Sequence, residues 1–232
     1  MQRTKIDLIA INTIAVLAVL SAANSAMAQG GATTYPRMAP VEQYLMDRTA
    51  EIALARTAAP ASISRDAAVL VLDRHGFETA VTGKNGFVCF VDRGWSSAPD
   101  PDFWNPKVRV PQCENAPSAQ SHLPIILKRA ALALAGRTKD QVEKATTTAI
   151  ATKELPPMAP GAMCYMMSKQ GYAGDSSKHW PSHIMFFYSR FDPANWGANL
   201  PGSPVLGMED TVNHLTGFAI PVQHWSDGTP AR

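Results

Sequence analysis

Three cysteines, six histidines, ten methionines and five tryptophans are the side chains of this 232-residue chain with the most chemistry to offer. Metal binding comes first. His179 and His183 stand four positions apart, which on a helix sets two imidazoles on one face. Here Trp180, Pro181 and Ser182 lie between them, and Pro181 disfavours that helix. They read as two loop histidines near the start of a strand. His122, His214 and His224 have no ligand partner close in sequence. Met163, Met166, Met167 and Met185 are soft ligands, as is Cys164. They lie in apolar runs of strand length, where methionine mainly fills core. No metal site and no cofactor is therefore expected.

Nucleophilic chemistry is no better supported. The chain has no G-x-S-x-G elbow, no S-x-x-K and no H-E-x-x-H. Cys164, flanked by Met163 and Tyr165, has nothing beside it to activate a thiolate. Asp100 and Asp102 stand two apart in a Pro-rich stretch, as turn-capping carboxylates do. Neither a phosphate-binding glycine loop nor a dinucleotide fingerprint occurs. The tryptophans remain. All five fall in or beside segments without regular periodicity, and loops carry function disproportionately. Trp104 with Asn105, Trp180, and Trp196 with Asn199 pair a flat apolar ring with amide or polar groups. These five residues are the expected ligand-binding set, on loops expected to converge at one end of a sheet. The competing reading buries the same rings under separate loops.

The elements that must position them follow from periodicity. A helix is expected from about Pro40 to Arg56, with Val41, Leu45 and Ile52 on one face. Val69 to Leu72, Phe77 to Thr82 and Phe87 to Asp92 read as a β-meander, with Asn85-Gly86 as a hairpin turn. Gly94 to Ala119 holds Pro99, Pro101, Pro106 and Pro111 and reads as a long loop. Leu123, Ile126, Leu127, Ala130 and Leu134 form a helical stripe that Gly136 can end. Thr138 and Gln141 open the next helix as a capping box. Met163 to Ser168, Ile184 to Ser189 and Phe218 to Val222 are further strands. The pattern predicts an α+β fold: an antiparallel sheet of about five or six strands with helices packed on one face.

Compartment is read from the two ends of the argument, N-terminus and cysteines. Arg3 and Lys5 precede an apolar stretch, Leu8 to Leu20, and Ala26-Met27-Ala28 follows. That is the pattern of a cleaved secretory signal, residues 1–28, with Gln29 as the new first residue. A Gly/Thr/Pro linker, residues 29–38, and one globular α+β domain, residues 39–232, complete the expected organisation. Without Arg3, Lys5 and Asp7, the 21 basic and 19 acidic side chains become 19 and 18. So balanced a surface makes no case for nucleic acid, or for a membrane once the signal is removed. In an oxidising compartment two of the three cysteines pair. Three pairings are possible. Cys89–Cys113 is favoured because it closes a local Pro-rich excursion from a strand, leaving Cys164 as a buried thiol.

Five strings occur together: Asn85-Gly-Phe-Val-Cys89, Phe103-Trp-Asn-Pro-Lys-Val-Arg109, Gly161-Ala-Met-Cys-Tyr-Met-Met-Ser-Lys-Gln-Gly171, Trp196-Gly-Ala-Asn-Leu-Pro-Gly-Ser-Pro-Val205 and Trp225-Ser-Asp-Gly-Thr-Pro230. With them the chain resembles a group of exported bacterial proteins to which no activity is assigned. The resemblance implies export and a single domain, and carries no catalytic residue across. The expectation is a periplasmic or secreted, non-enzymatic module that binds a small molecule or an envelope component. The alternative is a secreted hydrolase whose site is assembled from scattered residues.

Overall fold

Ala68–Leu72 (β1) and Phe77–Val81 (β2) form the first hairpin of the computed structural model, which describes residues 35–96 and 102–231. The expected signal peptide, Asp100, Pro99 and Pro101 lie outside the described residues. Asp73 builds the turn: its Oδ1 accepts from the N–H of His75 at 2.7 Å and of Gly76 at 3.0 Å. Val88–Asp92 (β3) does not return along β2, as the Asn85-Gly86 hairpin required. It passes to the far side of β1 and pairs with it in parallel, Val69 opposite Cys89. The cause is local. Asn85 donates from its amide to Ile63 O (2.8 Å), and Lys84 N donates to Asp66 O (2.7 Å). Asn85 thus anchors a crossover. Gly83 passes so close to β1 that a Cβ there would lie 2.2 Å from Ala68 N.

Val110–Glu114 (β4), Met163–Met166 (β5), His183–Ser189 (β6), Leu206–Asp210 (β7) and Leu215–Pro221 (β8) complete one sheet in the order β2-β1-β3-β4-β5-β6-β8-β7. The fold is α+β. The sheet has eight strands rather than five or six, and the β1–β3 pair makes it mixed rather than antiparallel. β4 arises inside the stretch expected to be a loop. Its Pro111 is tolerated because β5 pairs only with Cys113 and Glu114, leaving the proline without a partner on that side.

The helices are Arg48–Arg56 (α1), Ala61–Ser64 (α2), Ala116–Ser121 (α3), Leu123–Leu134 (α4) and Lys139–Ala151 (α5). α1 starts later than expected. Val41–Gln43 is a single 3-10 turn, and Asp47 caps α1 through Ala50 N. Gly136, at φ +74°, follows α4, and the Thr138–Gln141 capping box opens α5. Helices cover both faces of the sheet, not one. Successive strand residues point to opposite faces. Cys89 packs with Ala55 and Ile52 of α1, whereas Phe90 packs with Leu123 and Ile126 of α4. The expected linker also ends early: Tyr35 and Met38 pack against the cluster of Tyr44, Trp95 and Trp104.

Cys89 and Cys113 stand opposite each other on β3 and β4 and form the disulfide, which closes the 24-residue separation between them; Cys164 is a buried thiol. Two buried polar groups run through this part of the sheet. In the first, Arg93 Nη2 donates to Glu51 Oε1 at 2.9 Å, and Arg93 Nε donates to Tyr44 O at 2.9 Å. In the second, Asp92 accepts from Ser96, from Arg93 N and from Gln112 Nε2, while Glu114 Oε1 meets His122 Nδ1 at 2.6 Å. Burial pushes the Asp92 carboxyl up to about 6, against the opposing pull of its hydrogen bonds.

That shift has a signed consequence. A carboxyl raised on folding holds an extra proton in the folded state between pH 4 and 6. The stability it contributes is present at low pH and lost as pH rises through 6. Asp92→Asn removes this dependence. Its stability relative to the parent should therefore rise between pH 4 and pH 7, by about 2–3 kcal/mol at one pK unit per 1.36 kcal/mol. Urea unfolding of both proteins at the two pH values reads the difference. A difference that stays constant would show that Asp92 does not titrate there.

Candidate functional site

The five residues expected to bind ligand do not come together. Trp104 is buried against Phe103, ring centroids 4.5 Å apart, in the cluster with Tyr44 and Trp95. Asn105 is buried too. Its Nδ2 donates to Asp102 Oδ1 at 2.9 Å and its Oδ1 accepts from Lys107 N at 3.0 Å, so it closes a turn. Trp180 is 36% exposed and meets His183 edge-on at 6.0 Å. Trp196 is 37% exposed and stacks on Phe218 at 4.4 Å, with Phe186 at 6.2 Å. His183 and Phe186 point to opposite faces of β6, which separates Trp180 from Trp196. Asn199, at φ +61°, has its amide committed to Gly207: Nδ2 donates to Gly207 O at 2.9 Å and Oδ1 accepts from Gly207 N at 3.1 Å. The expected convergence fails because two long loops fold their rings onto different faces and a third buries its own.

Cys164 offers no nucleophile. Its buried thiol donates toward Gln112 Oε1 at 3.7 Å. Burial, then the charges of Glu114 and Asp92, push the thiol well above its ordinary value. Among the described residues no group of three or more His, Cys, Asp or Glu is placed to hold a metal ion.

Trp180 lies over a depression of about 20 Å³, lined with Val110, Met166, Tyr172, His179 and His183. His183 is buried. Its Nδ1 meets Pro181 O at 2.6 Å, and a carbonyl can only accept, so Nδ1 carries the proton. Burial lowers the His183 imidazole below its ordinary value.

A larger cleft, about 290 Å³, opens where β6, β7 and β8 end, lined by Arg190, Phe191, Asp192, Glu209, Asp210 and His214. Ser189 and Leu215 are the last pair of the β6–β8 ladder. The next two residues, Arg190 and His214, are both left-handed, at φ +36° and +53°. Arg190 N donates to His214 O at 3.1 Å, and Arg190 Nη2 donates to His214 Nδ1 at 2.7 Å. In the neutral ring this leaves the proton on Nε2. Left-handed backbone in a residue with a Cβ costs roughly 1–2 kcal/mol, so the corner is held by its surroundings. Buried Thr216 does this: its hydroxyl accepts from Phe191 N at 2.9 Å and donates to Phe191 O at 2.6 Å. Asp192 and Asp210 are engaged in turns, with Ala194 N at 2.9 Å and Asn213 N at 2.9 Å. α5 steadies the second turn through Thr147, which donates to Val212 O at 2.8 Å. Among the described residues no hydrogen bond or ion pair holds the Glu209 carboxylate. No spacing in the sequence signals this corner, since Arg190 and His214 meet only through the register of two strands.

No family model, no curated protein and no solved structure matches this chain. The geometry of the cleft is what bears on function.

Proposed function

We propose that this chain is an exported domain that binds a small polar molecule, of amino-sugar size, in the cleft between the ends of β6, β7 and β8. The observation that carries the reading is the cleft itself. A free carboxylate, Glu209, lines it together with a guanidinium–imidazole pair held at two left-handed residues. Size restricts the ligand. Pockets for drug-sized molecules run from about 300 to 1,000 Å³, and 290 Å³ suits one sugar ring. Charge restricts it further. Asp192, Glu209 and Asp210 outnumber Arg190, so an amine is favoured over an acid. Hydroxyls suit Arg190 and His214, and the Phe191 ring supplies an apolar face. Export is supported by the Cys89–Cys113 disulfide and by the composition of residues 1–28. No helix among the described residues is long and apolar enough to cross a membrane.

Hydrolysis would draw on the same cleft, since His214 lies in it beside carboxylates. The orientation of the ring disfavours that. A catalytic histidine is normally held at Nδ1 by an anion that stabilises the imidazolium. Here Nδ1 is held by a cation, Arg190.

Titration with glucosamine, followed by tryptophan fluorescence, tests the reading; Trp196 lies 6.2 Å from Phe191 and reports on the cleft. Saturable binding is expected, weaker for uncharged glucose. Glu209→Gln should weaken it at least tenfold, about 1.4 kcal/mol. Arg190→Gly should abolish the clamp on His214 and weaken binding while leaving the fold as stable as the parent or slightly more so, because glycine adopts φ +36° without strain. Glucosamine binding that ignores both substitutions, or none at all, would overturn the proposal.

A further inference from the structure

The depression beside Trp180 has a donor set unlike the cleft's. Met166 of β5 and His183 of β6 are directly paired across the two antiparallel strands. Paired residues share a face, with Cβ atoms roughly 4.5–5.5 Å apart, so the thioether and the imidazole stand side by side, and both line the depression. The hydrogen bond from His183 Nδ1 to Pro181 O leaves Nε2 as the only lone pair of that ring. A carbonyl acceptor behind one ring nitrogen is how proteins orient a histidine that ligates through the other. His179 brings a second imidazole to the same lining, and the Trp180 ring stands 6.0 Å from the His183 ring. The volume, about 20 Å³, suits one ion or one water.

The nitrogen and sulfur donors are two imidazoles and a thioether; the Ser168 and Tyr172 hydroxyls of the same lining are bonded to Thr57 and Asp175, and the lining holds no carboxylate. Uncharged donors in a partly desolvated site favour a monovalent ion, because the lining itself brings no anion to offset a second charge. Hard cations need oxygen ligands, and zinc sites take four, whereas soft thioether and imidazole donors suit copper(I). The Trp180 ring belongs to the same lining, and an indole is the strongest cation–π partner among the side chains. We propose that the depression at the start of β6 is a copper(I) site, with Met166, His183 and His179 as ligands and Trp180 closing it. Cys164, two residues from Met166 on the same strand face, is the obvious competing donor, so the test removes it.

The experiment uses the chain carrying Cys164→Ser, under anaerobic conditions with ascorbate, in competition with the copper(I) complex of bicinchoninate. The protein should withdraw one copper(I) per chain and lose tryptophan fluorescence as it does so. Met166→Leu, close in volume, and His179→Gln, at an exposed position, should each lower the affinity at least tenfold without unfolding the protein. Trp180→Phe should remove most of the quenching. Zinc(II) in tenfold excess should not compete. Failure to withdraw copper from the chelator overturns the proposal. So does unchanged affinity in both the Met166 and His179 variants, which would place the metal elsewhere.

Discussion

Replacing Glu51 with alanine should lower the free energy of unfolding by about 3–5 kcal/mol, the range for breaking a buried ion pair from one side. Both side chains of the pair are sealed from solvent, 0% exposed for Arg93 and 1% for Glu51. Burial already pulls the Arg93 guanidinium below its ordinary value, and Glu51 is the first charge opposing that pull. Among the described residues, the hydrogen bonds then left to the guanidinium are to backbone acceptors, Tyr44 O and Val91 O. The loss spreads beyond the pair. Glu51 Oε1 also accepts from Leu72 N at 3.2 Å, so one carboxylate ties α1 to β1 and to the residue that follows β3. The double variant Glu51→Leu, Arg93→Met should recover most of the stability, because apolar replacement of a whole buried pair is often neutral. Among the described residues Glu51 Oε2 has no hydrogen-bond partner in its buried position, which makes the pair easier to improve upon. Urea unfolding monitored by circular dichroism measures both. A single-variant loss under about 1 kcal/mol, inside the range of exposed pairs, would mean the pair is not sealed.

The second large effect is expected on replacing Cys89 and Cys113 together with alanine. In the chain-entropy treatment, a cross-link closing a loop of this length contributes about 3 kcal/mol, which for a chain of this size lowers the melting temperature by roughly 6–12 °C. Both sulfurs lie in the cluster between α1 and the sheet, so some packing is lost as well. Scanning calorimetry of the parent and the variant decides. Peptide mapping without reductant separates this pairing from the other two. Cys89 and Cys113 should travel together, and Cys164, a buried residue of β5, should alkylate only after unfolding. A bridge that includes Cys164 would contradict the register in which Cys89 faces Cys113.

What the sequence made legible is what neighbouring residues decide. The stripe from Leu123 to Leu134, the Gly136 stop and the Thr138–Gln141 box each act within a few residues, and α4 and α5 stand where that local chemistry puts them. The apolar runs of β1, β5, β6 and β8 are likewise self-evident. β4 was not legible, because Pro111, Gln112 and Glu114 become a strand only between β3 and β5. β7 was not either. As the last strand it leaves Leu206 and Met208 outside the core, so no hydrophobic alternation marks it. The Asn85-Gly86 signal misled for a related reason: the turn chemistry was present, but Ile63 and Asp66 captured it. At the cleft the limit was register. Arg190 and His214 are 24 positions apart, and no glycine marks either left-handed position. The tryptophans show the converse limit. Trp104 and Trp196 have similar neighbours in sequence, yet one is interior and the other half open.

The amide of Asn199 against Gly207 bears on how the molecule behaves in a crowd. β7 is the terminal strand of the sheet, and Leu206 and Met208 on it are each 46% exposed. A bare terminal strand with apolar side chains is a template on which another chain can extend the ladder, and repeated addition yields aggregates. Asn199 presents to Gly207 one donor and one acceptor, the same pair that a neighbouring peptide unit would offer. At Gly207 the edge is thereby closed from within, by a side chain imitating the backbone of a ninth strand. An asparagine that reads as a ligand contact thus occupies the backbone groups through which another strand would add at this position.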